Sequence, residues 1–214
     1  MIKIDKVILI CIKEQRLMLI QDNYKIAEYP ISTSKFGIGN KMGSNMTPLG
    51  YHLIKEKIGD NVPKDSIYKD GKFTKETATI NNKNFVNKDL ITTRIIKLEG
   101  LEEGINQGND IDSYKRGIWI HGTPEECHIG NPASHGCIRM KNNDIIQLFD
   151  SIEVGTPINI EVKIINKIHE KVDLSIKRNH TFRLKDRRVK GILDSSLWEM
   201  NNTEFRKESE RRKK

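Results

Sequence analysis

The chain has 214 residues, of which 36% are hydrophobic, so it is long enough for one well-buried domain plus an extension. Its net charge of +8 favours acidic partners, which could be nucleic acid, an anionic membrane surface or a carboxylate-rich polymer, and charge alone does not choose among them. The longest apolar stretch, residues 7–12, is far shorter than the ~20 residues of a membrane span, which excludes a transmembrane helix.

Short apolar runs separated by turns dominate the first part of the chain, and they predict a mainly β fold with a few short helices. Three strands are expected at residues 7–12, 17–20 and 24–31. Because only short polar turns separate them, we expect these strands to pair with one another as a meander.

A glycine-rich loop follows at residues 37–44, where it could form either a mobile wall of a cleft or a plain connection. The loop lacks the Lys-Ser/Thr ending of a phosphate-binding loop and leads into a strand-like segment at 51–54, so we reject a nucleotide site. Residues 57–87 have few periodic apolar positions and predict a long excursion, with one hairpin around Asp70-Gly71.

The second part of the chain contains three further predicted elements. The apolar run at residues 117–120 predicts a short buried strand that ends at a Gly-Thr-Pro turn. Asn142-Asn143-Asp144 can cap a helix whose apolar positions up to Phe149 form one face. The alternating segment at 158–162 predicts a strand that closes the sheet, so we expect the domain to comprise residues 1–162.

Residues 163–214 form a basic C-terminal extension, predicted to be partly helical or disordered. Its lysines and arginines could make it a solvated tail, or an adhesive arm for peripheral contact with a membrane or a wall polymer. The segment has no nucleic-acid-binding motif, so we expect no nucleic acid partner.

Residues 121–140 combine the features of a thiol active site. A nucleophilic cysteine needs a nearby base and a group of backbone N–H donors for the oxyanion that forms. Ser134-His135-Gly136-Cys137 can supply the donors, because Gly136 lets the backbone turn sharply beside the sulfur of Cys137. His121 is the better candidate for the base, since it closes the predicted strand and is held there rigidly.

This segment resembles the signature of the L,D-transpeptidase catalytic domain, the YkuD-type family of cell-wall cross-linking enzymes. The shared pattern is His121-Gly122, a variable loop, and then Ser134-His135-Gly136-Cys137-Ile138-Arg139. Further resemblance lies at residues 29–34, 43–51 and 90–96, and the blocks together cover about residues 5–162. The resemblance implies a β-sandwich or barrel with a few short helices.

The resemblance also implies a reaction, namely two-step acyl transfer on peptidoglycan stem peptides. Cys137, held as a thiolate by an imidazolium at His121, would attack the bond before the terminal D-alanine and form a thioester. An amine of a second stem or a D-amino acid would then take the acyl group. The carbonyl of Gly122 or of one of its neighbours would orient His121. Carboxypeptidase or amidase activity on the same scaffold is the alternative, and a non-catalytic wall-binding module would be expected to lack the thiol or its base.

The other residues of the signature are candidates for oxyanion or substrate binding. The amides of His135, Gly136 and Cys137 would stabilise the tetrahedral intermediates, with Ser134 in the same loop. His135 could instead only order this loop. Arg139 could fork onto a substrate carboxylate or brace the loop, and the residues leave both alternatives open.

The remaining thiols and histidines indicate neither a metal nor a cofactor. Cys11 lies inside an apolar strand and is expected to be buried, while Cys127 and His128 fall in the variable loop. Cys127 is either a bystander thiol or a redox partner for Cys137. The spacing lacks the paired ligands of a zinc site, and a thiolate bound in a closed zinc site could not attack an acyl group. We therefore expect no metal ion and no cofactor.

The family resemblance implies work in the cell envelope or periplasm. The first residues, however, do not form a signal-peptide pattern, because Asp5 interrupts the basic start and residues 13–16 end the apolar core early. A cytoplasmic location is therefore the alternative. We expect a monomer.

Overall fold

The described residues, 6–22, 24–81 and 89–163 of a computed structural model, consist mainly of short β-strands. They all belong to one unit of the chain, Ile4–Ile165. The strands in chain order are β1 (Lys6–Cys11), β2 (Arg16–Gln21), β3 (Tyr24–Ser32), β4 (Gly50–Ile58), β5 (Ser66–Lys69), β6 (Lys72–Thr77), β7 (Ile91–Gly100), β8 (Trp119–Gly122), β9 (Ile138–Met140) and β10 (Pro157–Glu161). One α-helix, α1 (Asn142–Ser151), and two short 3-10 turns, Asn109–Ile111 and Glu126–His128, complete this part of the chain.

Eight of these strands close into a barrel. In the described part of the chain their order is β4-β10-β1-β2-β3-β9-β8-β7, and β7 pairs back onto β4. The β1–β10 and β8–β9 pairs are parallel, whereas the other neighbours run antiparallel. The β5–β6 hairpin extends from β7. The expectation of a mainly β fold of the sandwich or barrel type is confirmed, and the architecture is the barrel.

An apolar cluster fills the barrel. It includes Ile8 and Ile10 of β1 and Leu17 and Leu19 of β2, each at most 1% exposed. Every second residue of a strand points to the same face, which is why these apolar positions recur with a period of two. Each such side chain contributes roughly 1.5–3 kcal/mol through burial. Helix α1 packs against β7 and β8 and places its buried face, Ile145, Leu148 and Phe149, in the same cluster.

The opening meander is confirmed, since β1 pairs with β2 and β2 with β3. The hairpin around Asp70-Gly71 is also confirmed as β5–β6, and these two residues have φ of +51° and +76°, as a tight turn between strands requires. The expected long excursion at 57–87 is wrong over much of its length. Strand β4 continues to Ile58, and β5 and β6 follow; residues 82–88 lie outside the described residues.

The elements of the second part of the chain lie close to their predicted positions, but several details differ from the prediction. The predicted strands at 117–120 and 158–162 are present as β8 and β10, while β9 was not predicted. Helix α1 forms as expected, but the expected cap is wrong, because Lys141 occupies the N-cap position and makes no side-chain capping bond. The tail from residue 164 lies outside the described residues, so the division at residue 162 stays a prediction. None of the helices in the described ranges is long and apolar enough to cross a membrane.

Candidate active site

The parallel pairing of β8 with β9 brings Cys137 and His121 together. In this pair His121 lies opposite Arg139, and Ile120 lies opposite Ile138. Cys137 immediately precedes β9, two residues before Arg139, so alternation along the strand directs both side chains towards the face that carries His121. The barrel thus places the candidate base and the candidate nucleophile on one face of two neighbouring strands.

His121 is held in one tautomer. The ring is 1% exposed, and its Nδ1 lies 2.8 Å from the carbonyl oxygen of Gly122. Because a carbonyl oxygen only accepts, Nδ1 must carry the proton, and Nε2 is then the basic nitrogen. The contact that we expected between the ring and Gly122 is present; the catalytic role of His121 stays a prediction.

Burial favours the neutral form of His121. Removal from water lowers the pKa of His121 to about 4, although the negative charge of Asp89 and the bond to Gly122 act in the opposite direction. The imidazole is therefore neutral near pH 7 in this state. The expected resting imidazolium is disfavoured, since the shift is opposite to the one that an ion pair requires.

Cys137 is a protonated thiol in the same state. It is half-buried, and its Sγ donates to the carbonyl oxygen of Gly117 at 3.2 Å. Burial raises the pKa of Cys137 to about 12, and the backbone N–H of Trp119 together with Arg139 and Arg116 lowers it only in part. A neutral thiol beside a neutral imidazole is the resting pair that this geometry supports.

The two buried histidines should make the fold acid-sensitive. His52, fully buried between the Gly50 carbonyl and the Ser113 hydroxyl, also has its pKa lowered by burial, from 6.5 to about 4. Because the unfolded chain binds these protons first, stability is complete above about pH 6.5 and declines as the pH falls towards 4, by about 3 kcal/mol for His52 and the same for His121. We expect urea unfolding at several pH values to show this slope, reduced by about half in His52→Gln. An unchanged slope in the variant would contradict the assignment.

The nucleophile loop is shaped by Gly136 and fastened by hydroxyls. Gly136 has a φ of +123°, a conformation that side chains rarely adopt. The Thr47 hydroxyl donates to the Gly136 carbonyl at 3.0 Å, which connects the nucleophile loop to the chain just after the glycine-rich loop. The Ser134 hydroxyl donates to the Cys137 carbonyl at 2.6 Å and accepts from the Gly136 amide at 3.3 Å. Ser134 therefore braces the loop, and the amides of His135 and Cys137 are the better candidates for an oxyanion hole.

A charged network lies behind the loop and contains a residue that the sequence did not reveal. Asp89 accepts from His135 Nδ1 at 2.6 Å and from Arg139 Nε at 2.7 Å. Glu125 accepts from Arg139 Nη1 at 3.0 Å. Burial alone would raise the pKa of Asp89, but Arg139, His121 and His135 outweigh it and lower that pKa. Asp89 follows a polar stretch without periodicity, so no local pattern marked it.

These contacts separate the alternatives for Arg139. Its side chain is 2% exposed and binds two carboxylates of the protein itself. The contacts favour a structural role, in which Arg139 stabilises the loop, over bidentate binding of a substrate carboxylate. Arg139 and His135 do line a cavity of about 230 Å³, together with Lys35, so room for part of a ligand lies beside the loop.

Asn142 is the second residue that the sequence did not identify as part of the site. Its Oδ1 accepts from the hydroxyls of Thr92 and Thr93 at 2.7 and 2.5 Å, and its Nδ2 donates to the Thr123 carbonyl at 2.9 Å. Thr93 has a φ of +68°, a strained conformation for a β-branched residue. Gly122 must lack a side chain because a Cβ there would collide with Asn142 and lie 2.7 Å from the Thr92 carbonyl. Asn142 thus ties β7, β8 and α1 together behind His121.

Replacing Asn142 with alanine should destabilise the barrel more than any neighbouring polar substitution. We expect a loss of about 2–4 kcal/mol, because several buried groups would lose their partner at once. Asn143→Ala is the matched control: the side chain is exposed, accepts a hydrogen bond from Lys64 at 3.0 Å, and should change stability by less than about 0.5 kcal/mol. Denaturant unfolding measures both. Equal losses in the two variants would contradict the anchoring role.

The other two cysteines and the glycine-rich loop lie at different distances from the candidate site. Cys11 is fully buried in β1, as expected, and Cys127 is exposed in the Glu126–His128 turn. No group of three or more His, Cys, Asp or Glu side chains in the described ranges could hold a metal ion. The segment that directly follows the glycine-rich loop adjoins the nucleophile loop, since the Met46 carbonyl oxygen lies 3.5 Å from where a Cβ on Gly136 would be.

Comparisons with known proteins place this geometry in context. A family model described as the L,D-transpeptidase catalytic domain (YkuD) matches residues 5–160. YqjB of Bacillus subtilis is 49% identical over 41 residues, which are 19% of this chain and 23% of YqjB. ErfK/SrfK of Escherichia coli is 51% identical over 41 residues, which are 19% of this chain and 13% of that protein. Both relatives are named as L,D-transpeptidases.

Among solved structures, Bd1075 of Bdellovibrio bacteriovorus superimposes with a TM-score of 0.49 and 23% identity, over 75% of this chain and 49% of that one. The chain spans less than a quarter of the length of the two curated relatives above. The activities of those whole proteins therefore do not transfer to this chain by similarity alone.

Proposed function

The chain belongs to the L,D-transpeptidase catalytic domain family, and we propose that it is a cysteine acyltransferase acting on peptidoglycan stem peptides. The observation that carries the proposal is the pair formed by Cys137 and His121. A thiol and an imidazole whose unprotonated nitrogen is Nε2 lie on one face of two adjacent parallel strands, beside a loop with a positive-φ glycine. This is the arrangement that nucleophilic acyl transfer needs.

In the first half-reaction His121 acts as a general base. As Cys137 Sγ attacks the carbonyl of the diamino acid that precedes the terminal D-alanine, its proton passes to Nε2, and a carbon–sulfur bond forms. The amides of the nucleophile loop hold the oxyanion. When the carbon–nitrogen bond breaks, the imidazolium returns the proton to the leaving D-alanine amine, and a thioester remains on Cys137.

In the second half-reaction an acceptor amine attacks the thioester. His121 removes the proton from that amine, the new amide bond forms, and the sulfur leaves and recovers a proton. The acceptor is the side-chain amine of a second stem, which gives a 3-3 cross-link, or a D-amino acid. If water is the acceptor, the same residues catalyse carboxypeptidase or amidase hydrolysis, which is the second candidate function.

The proposal places the enzyme on the cell-wall polymer, and hence in the cell envelope or periplasm, working as a monomer. The stem peptides of this polymer are acidic, which suits a protein with a net charge of +8. Contact of the basic tail with wall or membrane would be a separate, peripheral interaction.

Product analysis tests the proposal. Purified protein is incubated with a disaccharide-tetrapeptide, and the products are separated and weighed by liquid chromatography with mass spectrometry. A dimer cross-linked between two diamino acids is the expected product. Tripeptide alone would support the hydrolase alternative, and an unchanged substrate, with folded enzyme, would contradict both.

Sensitivity to carbapenems follows from the same chemistry, because the strained β-lactam carbonyl is an acyl donor for the Cys137 sulfur. We expect wild-type protein to gain the mass of one carbapenem, mapped to the peptide that contains Cys137, while Cys11 and Cys127 stay unmodified. Protein that turns over stem peptide but gains no mass would contradict this prediction.

A further inference from the structure

Arg116 is a half-buried cation with an unusual set of partners. Its guanidinium donates to the Met46 carbonyl at 2.6 Å, to the Gly39 carbonyl at 3.2 Å and to the Ser44 hydroxyl at 3.4 Å. All three partners are neutral, and within the residues that the structure describes Arg116 makes no ion pair with a carboxylate. Its positive charge is therefore not cancelled locally.

The charge lies beside Cys137. Arg116 directly precedes Gly117, whose carbonyl accepts the Cys137 thiol at 3.2 Å. The Met46 carbonyl that binds the guanidinium also lies 3.5 Å from where a Cβ on Gly136 would be. Two main-chain segments next to the nucleophile loop, at Gly117 and at Met46, thus connect Arg116 to Cys137. Electrostatically, Arg116 lowers the pKa of Cys137, while burial lowers and Cys137 raises the pKa of Arg116.

The other cation near Cys137, Arg139, already has carboxylate partners. It favours the thiolate while Asp89 disfavours it, and Arg139 forms ion pairs with both Asp89 and Glu125. His121 is neutral before the reaction. Arg116 is then the cation near Cys137 that has no carboxylate partner among the described residues, and a half-buried charge acts over a longer range than one at the surface.

We infer that Arg116 is a positioning residue that stabilises the thiolate of Cys137 while its proton is on His121. The inference rests on the proposed function and deepens it, since it names a second cation, in addition to the imidazolium of His121, that balances the charge developing on the nucleophile. Arg116 does not contact substrate in this account. It acts on the sulfur through its charge, held in place by the glycine-rich loop.

A purely structural role is the competing explanation, because Arg116 also fastens residues 39–46. Two substitutions separate the explanations. Arg116→Lys keeps the charge but loses the forked contacts with the loop, whereas Arg116→Gln keeps a hydrogen-bond donor and removes the charge.

The experiment measures the rate of iodoacetamide alkylation of Cys137 against pH, by peptide-level mass spectrometry, in the full chain. The rate follows the thiolate fraction, so a pKa higher by one unit slows alkylation about tenfold at a given pH below it. Cys127, exposed in the same molecule, is the internal reference. We expect Arg116→Gln to slow Cys137 on the order of tenfold relative to Cys127, and Arg116→Lys to remain within about threefold of wild type.

Other outcomes overturn the inference. Unchanged Cys137 rates in both variants would show that the charge is not felt by the sulfur. Equal slowing in both, or a Gln variant that loses its near-ultraviolet circular dichroism, would assign Arg116 to loop structure alone. Failure of the proposed function would appear separately, as absence of product from wild-type protein whatever the alkylation rates.

Discussion

Replacing Cys137 with alanine is expected to reduce turnover of the tetrapeptide by at least ~1000-fold, because no other thiol lies in the loop and the covalent intermediate cannot form without it. The fold should survive, since the side chain is half-buried and its sulfur interacts with main-chain groups, the Gly117 carbonyl and the Trp119 N–H. Product formation measured by liquid chromatography with mass spectrometry, alongside thermal unfolding, checks both statements.

The matched control is Cys127→Ala, which removes an exposed thiol from the Glu126–His128 turn and should leave turnover within about twofold of wild type. Residual activity of Cys137→Ala near the wild-type rate would reject the nucleophile. Loss of activity in Cys127→Ala would instead point to a redox partnership between the two cysteines.

Replacing His121 with glutamine should lower turnover by about 10²–10⁴-fold, the usual contribution of a general base and acid. Glutamine is similar in size and can keep a donor near the Gly122 carbonyl, so the loss would report proton transfer more than packing. His128→Gln, an exposed substitution in the neighbouring turn, is the control and should retain most of the activity.

Alkylation of Cys137 gives the decisive readout for His121. Because the resting pair is neutral, His121→Gln should change the alkylation rate of the free enzyme little while turnover falls. A large loss of alkylation at pH 7 would show instead that the imidazolium–thiolate pair is the resting state, contrary to the burial-driven pKa shifts of both groups.

Local patterns in the sequence were sufficient where the physical cause is itself local. The hairpin at Asp70-Gly71 was predictable because two adjacent residues supply the positive φ that a tight turn demands. The apolar spacing of α1 predicted its buried face, Ile145 and Leu148 included. The candidate nucleophile and base could be named because both belong to one contiguous signature.

Residues that act through long-range contacts could not be found in this way. Asp89, just before β7, meets Arg139 of β9 and His135 of the nucleophile loop because β8 pairs with both β7 and β9 in the closed barrel. Asn142 appeared to be a helix cap, the commonest role of asparagine before an apolar helix, yet it is buried and holds Thr92 and Thr93. Burial also decided the charge state, since the sequence suggested an ion pair where desolvation favours two neutral groups.

Strand β9 was missed for a related reason. Its three residues are too few to show alternation, and all three are buried, including Arg139. The position of β9 depends on its pairing with β3 and β8. Those strands lie elsewhere in the sequence, so the residues around β9 alone could not predict it.

The measurement that tests the central claim most directly is intact-mass spectrometry of wild-type protein quenched in acid during turnover of the tetrapeptide, followed by peptide mapping. The account predicts a mass increase equal to the acyl group that remains after loss of D-alanine, located on Cys137 and released by hydroxylamine as a thioester is. Product formation without an adduct on Cys137, or an adduct on another residue, would contradict it.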